Sequence, residues 1–343
     1  MSRQSYFMEI VEGNSIYNKI KDRNDILYIL LGGTTNVSTI PGISAAGASP
    51  ELTKLTPVLD SEIILAGKCI SYDVVPMTEE GVPTPSIITR GANEISGIDT
   101  MIIDSGFVQD PAIPFIKTGL GAARDGSKEK ALPCYESALA YGSYLGALID
   151  NKYKFIFIGE SVPGGTTTAY TVLSSIGIKE MTSSSMKTSP DGLKEAYAKK
   201  AFLRKARSEN YSENISEFGD YMMAMVLGIS RSVKKSTLFY AGGTQMATVF
   251  YLDHAINNSV NRYVFTTGYI MKDKEKLMKK LVKSKLVYAN MNFSGIDGLK
   301  YYDAGYVREG TGFGAAFGIS YLLDNNTEKI YSNIKRVYRS FLK

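Results

Sequence analysis

Three glycine-glycine-threonine turns are the residues of this chain best suited to bind an anion. They occur in LLGGTTN at 30–36, PGGTTTA at 163–169 and AGGTQMA at 241–247, each after an apolar run. Paired glycines let the backbone approach a ligand, and N–H groups and threonine hydroxyls at a helix start favour negative charge. Each turn alone is explained equally well as a tight turn with an N-capping threonine. Together they favour a phosphate site, with candidate residues Gly164, Gly165, Thr166, Thr167, Gly242, Gly243 and Thr244.

Two glutamates next to glycine-rich turns are candidates for acid-base chemistry. Glu160 opens GESVPGGTTTA after the apolar run KFIFIG, and Glu309 lies in REGTGFGAAF ahead of a small-residue helix pattern. A carboxyl group that is partly desolvated at such a turn has a raised pKa, as a general base working near neutral pH requires. The residues leave a second interpretation equally open. Each glutamate would then cap a helix or pair with a neighbour such as Arg308.

Several other kinds of chemistry lack the residues that they require. His254 is the only histidine, so it would have to serve every Ser-His, Cys-His or His-metal site, and a structural role on a helix is favoured. Cys69 and Cys134 have no neighbouring Cys or His at ligand spacing, which predicts neither a disulfide nor a zinc site. The glycine turns match neither the P-loop nor the dinucleotide fingerprint. We therefore expect no metal and no cofactor.

Composition places the chain among ordinary globular proteins. It has 343 residues, 44% of them hydrophobic and 21% charged, with a formal net charge of +5. The absence of a long apolar run or a signal-like start predicts a cytoplasmic protein that does not enter a membrane. The lysines of residues 272–285 are typical of a solvated helix face, and no nucleic-acid-binding signature accompanies them. An anionic small molecule is therefore the expected partner, and nucleic acid is not.

Short apolar runs alternate with helical patterns along the chain. This alternation predicts an α/β fold with a doubly wound, mainly parallel, Rossmann-like sheet that binds ligands at the carboxyl ends of its strands. The predicted strands are 26–31, 63–66, 101–103, 155–158, 238–240, 263–265 and 286–288. The predicted helices are 136–149, 167–176, 193–205, 215–227, 246–256, 274–283 and 314–323.

Two segments lie outside this alternation. Residues 39–89 are rich in proline, which predicts a long loop-rich excursion of the kind that forms an active-site wall. Residues 328–342 form an amphipathic helix pattern, which we expect to pack with a helix over 10–20. The resulting division is a small helical subdomain from residues 1–24 and 325–343, and an α/β nucleotide-binding catalytic domain from residues 25–324.

At the same turns the chain resembles a known enzyme family. GESVPGGTTTA with TVLSSIG behind it, AGGTQMA, FTTGYI and REGTGFGAAF occur in the order and spacing of the nicotinate-nucleotide:dimethylbenzimidazole phosphoribosyltransferases. The segments IPGISAAGASPELTKLTPVLDSE and GVPTPSIITRGA are similar to those of its archaeal and cyanobacterial branch. The resemblance extends from about Gly32 to about Leu323.

Membership would imply a pentosyltransferase that moves the phosphoribosyl group of nicotinate mononucleotide to dimethylbenzimidazole in cobamide synthesis. The products would be α-ribazole 5′-phosphate and nicotinate. Glu309 matches the catalytic glutamate, which takes the N–H proton of the incoming base, and Glu160 matches a helper that orients base or ribose. The resemblance implies a homodimer. It also assigns phosphate or nucleotide contacts to Lys194, Thr267, Gly268, Gly310, Thr311 and Gly312, and the acceptor-base wall to Ser49 and Glu51.

The chain departs from the bacterial branch of that family at two places. Arg308 stands before the glutamate where that branch has glycine, and an Asn-Thr-Thr turn is replaced by Gly-Thr-Thr-Thr. The acceptor therefore stays open, and adenine or another benzimidazole would serve. Two other functions also stay open, a nucleotide phosphorylase that uses inorganic phosphate and a non-catalytic mononucleotide-binding protein.

Overall fold

A single sheet organises the chain, of which the computed structural model describes residues 8–12, 16–47 and 49–342. In these residues the strands are β1 (Met8–Glu12), β2 (Ile26–Gly32), β3 (Asp99–Asp104), β4 (Phe155–Ser161), β5 (Thr237–Ala241), β6 (Arg262–Thr267) and β7 (Leu286–Met291). They pair in the order β1-β7-β6-β5-β4-β2-β3, and only β1 is antiparallel to its neighbour. The predicted mainly parallel α/β sheet is confirmed.

Helices cover the sheet on both sides. In the described ranges they are α1 (Pro50–Ala66), α2 (Ser86–Ser96), α3 (Tyr135–Ile149), α4 (Gly165–Ser175), α5 (Asp191–Arg204), α6 (Tyr211–Phe218), α7 (Tyr221–Ser232), α8 (Thr244–Asn257), α9 (Gly268–Val282), α10 (Lys300–Asp303), α11 (Phe313–Asp324) and α12 (Thr327–Ser340). Among these, none is both long enough and apolar enough to cross a membrane. Short 3₁₀ helices lie at Ile16–Lys19, Arg23–Asp25, Asn36–Thr39 and Lys283–Lys285.

Alternating side chains of the strands build two separate apolar layers. On β2, Leu27, Ile29 and Leu31 face a layer that contains α3, α4, α7, α8 and α9. Ile26 and Tyr28 face the opposite layer, which contains α2, α11 and α12. Strands buried on both faces explain why each one appears in the sequence as a continuous apolar run.

The strand order reverses next to β2, which has β3 on one side and β4 on the other. The chain adds β5, β6 and β7 outward from β4, so the segments that follow β2, β4, β5 and β6 all leave at the same edge. Ligand sites of doubly wound sheets lie at such a switch point. The fold therefore brings the glycine-threonine turns to one edge of the sheet.

The proline-rich segment is more regular than predicted. Residues 63–66, predicted as a strand, are the last turn of α1, and the prediction of a loop-rich excursion is wrong over this 17-residue helix. Ser49 caps the helix by accepting a hydrogen bond from the Leu52 N–H at 3.3 Å, and Gly67 ends it at φ 75°. Ser49 and the proline at the first position fix the start of the helix, and Gly67 fixes its end. These signals outweigh the β-branched residues.

Two further predictions of helices need correction. The predicted helix over residues 10–20 is wrong in the described residues. Residues 10–12 belong to β1, which pairs with β7, and Ile16–Lys19 form a 3₁₀ helix. Residues 13–15 lie outside the described ranges. Residues 215–227 form two helices, since the chain leaves α6 at Gly219 and Asp220 caps α7 by accepting the Met223 N–H at 3.1 Å.

The C-terminal amphipathic helix is confirmed as α12. It packs on α2, where the Asn333 amide donates a hydrogen bond to the Gly91 carbonyl at 2.7 Å. Ile330 and Ile334 join the same apolar layer as Ile16 and Ile20. The division into a terminal subdomain and a catalytic domain stays a prediction.

Close packing of α3 on α7 gives a test of the fold. A Cβ atom at Gly142 would collide with the backbone carbonyl of Met225, which cannot move independently of α7. We expect Gly142→Ala to lower the free energy of unfolding by roughly 1–3 kcal/mol, measured by urea denaturation. Gly192→Ala is the control, because nothing lies within 4 Å of the added Cβ, and it should be neutral or slightly stabilising. Equal stability of the two variants would contradict this packing.

Candidate active site

A cleft opens at the carboxyl edge of the sheet, where the strand order reverses. It encloses about 1000 Å³ including its open mouth, a size that suits a nucleotide and a small base. Its walls come from α1, residues 76–85, the turn after β4, residues 183–186, the start of α8 and the turn before α11. These segments are far apart in sequence, so the parallel sheet creates the cleft by aligning their ends.

The second and third glycine-threonine turns form one side of the cleft. Gly164, Gly165 and Thr166 begin α4, and Gly243 and Thr244 begin α8. Gly164 is at φ 79°, and a Cβ there would be 2.6 Å from the Thr35 hydroxyl, so only glycine fits. The first N–H groups of an α-helix have no partner within the helix and suit an anion. In α4 the Gly165 and Thr167 N–H groups donate to the Val162 and Gly164 carbonyls, which leaves the Thr166 N–H as its candidate anion donor. The starts of α4 and α8 both line this part of the cleft.

The first glycine-threonine turn has a different place. Its Gly33 N–H donates to the Ser161 carbonyl at 3.0 Å, and its Thr35 hydroxyl donates to the Pro163 carbonyl at 2.8 Å. This turn is absent from the cleft lining and supports the second turn from behind. The three turns are thus close together in space, but only two of them face the ligand space.

Glu309 is buried at the base of this cleft. Only 8% of the residue is exposed, and its carboxylate accepts hydrogen bonds from the Gly310 N–H and, at 3.0 Å, from the Gly314 N–H. Burial raises the Glu309 pKa to about 8, and the backbone hydrogen bonds offset only part of this increase. Glu309 therefore binds the start of α11 and also lines the cleft. The two interpretations of this residue, a helix cap and a group that faces a ligand, are compatible.

The backbone next to Glu309 adopts an unusual conformation. Gly310, Thr311 and Gly312 have φ values of 155°, 53° and 69°. A Cβ on Gly310 would be 2.7 Å from Pro85, so the turn approaches that wall more closely than other residues permit. Thr311, which is not glycine, is held by its N–H bond to the Glu160 carbonyl at 2.8 Å and by a hydrogen bond from Tyr28 to its own carbonyl. Such enforced conformations are typical of functional sites.

Glu160 faces the same turn from the end of β4. It is 9% exposed, and its carboxylate accepts the Val162 N–H at 3.1 Å. Burial raises its pKa well above the usual value, and the charges of Glu309 and Asp220 raise it further. A Cβ on Gly242 would lie 3.9 Å from a Glu160 oxygen, and one on Gly243 would lie 3.5 Å from the Glu309 Cβ. An ionised Glu309 therefore disfavours ionisation of Glu160.

Two basic residues hold the wall formed by residues 183–186. Lys194 is fully buried and donates to the Ser183 carbonyl at 2.6 Å, and burial lowers its pKa to about 7. Arg308 donates to the Ser184 carbonyl at 2.7 Å and forms an ion pair with Asp273 at 3.2 Å. The predicted pairing of Arg308 with Glu309 is not what the structure shows. Lys194 lies behind the wall and does not line the cleft.

Several other candidate residues lie away from the cleft lining. The cleft lining does not include Thr167, Gly242 or Gly312. It also does not include Thr267, whose hydroxyl donates to the Arg308 carbonyl at 2.6 Å. Gly268 borders a separate cavity with Asn290. Ser49 caps α1, and its hydroxyl donates to Glu51 at 3.0 Å. The predicted residues that share the cleft are Glu160, Glu309, Gly164, Gly165, Thr166, Gly243, Thr244, Gly310 and Thr311. Their roles stay predictions.

The sequence interpretation did not identify several polar residues of the cleft, among them Asp60, Thr84 and Ser161. Asp60 accepts hydrogen bonds from the Thr84 hydroxyl at 2.5 Å and the Ser161 hydroxyl at 2.7 Å, and all three line the cleft. Asp60 lies on α1 four residues after Thr56, which also lines the cleft. A helical interpretation of residues 50–66 would have placed these two side chains on one face.

The fold and the cleft define an α/β protein with a nucleotide-sized site at the switch point of its sheet. A solved structure with this fold is the nicotinate-nucleotide-dimethylbenzimidazole phosphoribosyltransferase of Thermus thermophilus, which is 14% identical, with a TM-score of 0.60 over 92% of this chain and 83% of that one. A second structure from this organism has a TM-score of 0.59 over 92% and 84% of the two chains. The predicted resemblance is confirmed in the fold.

The chain belongs to the UPF0284 family. It is 46% identical to a UPF0284 protein of Thermoplasma volcanium over 319 residues, which cover 92% of this chain and 94% of that protein. Identity to a UPF0284 protein of Thermoplasma acidophilum is 37% over 338 residues, covering 98% and 99% of the two chains. Identity to one of Thermococcus gammatolerans is 36% over 328 residues, covering 92% and 98%. No family model matches the chain.

The raised pKa of Glu309 predicts how stability depends on pH. The group loses its proton near pH 4.5 by its ordinary value but near 8 in the folded protein. Between these values the folded state binds more protons than the unfolded state, so the Glu309 contribution to stability falls as pH rises. Glu309→Gln should gain stability relative to wild type from pH 5 to 8, by at most about 1.4 kcal/mol for each pH unit.

Urea denaturation at pH 5, 6.5 and 8 measures this difference. Asp110→Asn is the control, because its carboxyl is more than half exposed, at 53% of the side chain. A stability difference between Glu309→Gln and wild type that stays constant over this pH range would exclude a raised pKa at Glu309.

Proposed function

We propose that this protein transfers the phosphoribosyl group of nicotinate mononucleotide to a ring nitrogen of dimethylbenzimidazole or a related aromatic base. The products are α-ribazole 5′-phosphate, or its analogue, and nicotinate. The observation that supports this proposal is Glu309, a carboxylate with a pKa of about 8 that lines a cleft between two glycine-threonine helix starts. A phosphoribosyltransferase of this kind needs a base and an anion site within one cleft.

The two helix starts bind the phosphate in this proposal. The starts of α4 and α8 carry partial positive charge, and Thr166 and Thr244, which begin these helices, line the cleft. Thr244 is fixed by its hydroxyl, which accepts the Ser183 N–H at 3.0 Å. The ribose then extends from this side toward Glu309, and the acceptor base lies against the wall of residues 76–85.

Glu309 acts as the general base. Its carboxylate takes the N–H proton of the acceptor, and the electron pair of the other ring nitrogen forms the new bond to ribose C1′. The bond between C1′ and the pyridinium nitrogen breaks, and its electron pair stays with nicotinate, which leaves without needing a proton. A pKa of about 8 gives Glu309 more affinity for that proton than an exposed glutamate has.

Glu160 orients the substrates in its neutral form. The charge on Glu309 and burial keep its proton in place, so it offers one O–H donor to a ribose hydroxyl or to the base. Two carboxyl groups with different protonation states are the usual result of placing acids together in a desolvated site. The proposal therefore assigns one base and one neutral orienting acid to the pair.

Replacement of Glu309 tests the proposal. Glu309→Gln keeps the size of the side chain and removes its basicity, so turnover should fall by roughly 10²–10⁴ while nucleotide affinity changes little. Product mass after incubation with nicotinate mononucleotide and dimethylbenzimidazole gives turnover, and calorimetry gives affinity. Asp110→Asn serves as the surface control and should retain wild-type activity.

Other outcomes would identify other functions. A folded Glu309→Gln variant with near-normal turnover would remove this residue from the mechanism and direct attention to Glu160. Cleavage of the nucleotide by inorganic phosphate alone would indicate a phosphorylase. Tight nucleotide binding with no product from any base would indicate a non-catalytic binding protein.

A further inference from the structure

Asp60 is a buried acid in the cleft wall that has no part in the proton transfer described above. It is 3% exposed and lines the cleft from the inner side of α1. Burial raises its pKa, and the groups that oppose this effect are the hydroxyls of Thr84, Ser161 and Ser86. A buried carboxyl group is costly to retain, so its position facing a ligand space indicates a contact made there.

The hydrogen bonds of Asp60 leave part of its acceptor capacity unused. The Thr84 hydroxyl donates to one carboxylate oxygen at 2.5 Å, and the Ser161 hydroxyl donates to the other at 2.7 Å. Two carboxylate oxygens have about four lone-pair positions between them. With the Ser86 hydroxyl as a third partner, these bonds fix the orientation of the group and leave one of the four positions for a further donor.

Its neighbours place Asp60 on the acceptor side of the cleft. Thr84 precedes Pro85, and a Cβ on Gly310 beside Glu309 would lie 2.7 Å from Pro85. Ser161 follows Glu160 in the chain. Met77, Val82 and Pro83 complete this wall with apolar groups. A mainly apolar wall with one fixed carboxyl fits a flat aromatic ring that carries a polar substituent.

We propose that Asp60 accepts a hydrogen bond from an exocyclic hydroxyl or amino group of the acceptor base. Among the acceptors of the proposed function, fused azoles with such a donor are then preferred over dimethylbenzimidazole, whose substituents are only methyl groups. This inference rests on the proposed function and narrows its substrate. A site built to bind a donor rejects an analogue without it, because the buried acceptor would lose its partner.

Two benzimidazoles of nearly equal shape test the inference. 5-Hydroxybenzimidazole and 5-methylbenzimidazole differ in one donor, and adenine tests the amino group separately. With nicotinate mononucleotide in excess, wild type should show kcat/KM roughly 10²-fold or more higher for the hydroxyl compound than for the methyl compound. Asp60→Asn should reduce this ratio at least about tenfold, because the charge that strengthens the bond is lost.

Two more variants separate specificity from folding. Thr84→Val removes one hydroxyl donor from Asp60 and leaves its charge, so the preference for the hydroxyl compound should persist. Asp110→Asn on the surface should keep the wild-type ratio. Calorimetric titration of wild type and Asp60→Asn with each base gives the same preference as a binding ratio, independent of turnover.

The possible results distinguish this inference from the proposed function. Equal or better use of 5-methylbenzimidazole, or an unchanged ratio in a folded Asp60→Asn variant, would overturn the role of Asp60 while transfer itself stands. If no base is converted, the proposed transfer fails. The binding titrations then show whether Asp60 still favours a base with a hydrogen-bond donor. Equal affinities for 5-hydroxybenzimidazole and 5-methylbenzimidazole would overturn the inference as well.

Discussion

The cleft is organised around a carboxyl group that the fold keeps away from water at the edge of the sheet. Glu309 is held in this position by backbone N–H donors from Gly310 in the turn before α11 and from Gly314 in the first turn of α11. These donors replace only part of the lost hydration, so the pKa stays high. The Thr311 N–H bond to Glu160 ties the same turn to β4, the strand next to the switch point.

The two basic side chains next to the cleft bind backbone carbonyl groups of its wall. Lys194 and Arg308 use their donors on the carbonyl groups of residues 182–186, and so they shape a wall. Arg308 also lines the cleft, together with Thr166 at the start of α4 and Thr244 at the start of α8, and these residues are the candidates for binding an anion. Glycine is required at positions 164 and 165 because a Cβ atom there would collide with the side chain of Thr35 or Gln245.

The sheet and the place of Glu309 in a turn before a helix could be predicted because both depend on local patterns, while the role of Glu309 stays a prediction. Apolar runs that end at glycine correspond to β2, β4, β5 and β6, and the EGTG turn precedes α11. The edge strand β1 was missed, since its existence depends on pairing with β7 and not on its own residues. Asp60 was not identified because the prolines of residues 39–89 predicted a loop-rich segment where α1 lies. Thr267 and Lys194 matched motifs, but tertiary packing directs their polar groups to the backbone carbonyls of Arg308 and Ser183, and neither residue lines the cleft itself.

The central claim is that Glu309 must lose its proton before it can accept one from the acceptor base. The pH dependence of kcat/KM for phosphoribosyl transfer between pH 6 and 10 tests it most directly. If Glu309 is the general base, kcat/KM should rise about tenfold per pH unit at low pH and should be constant above the Glu309 pKa of about 8. A profile that is flat from pH 6 upward, or that rises only with a pKa near 4.5, would contradict it.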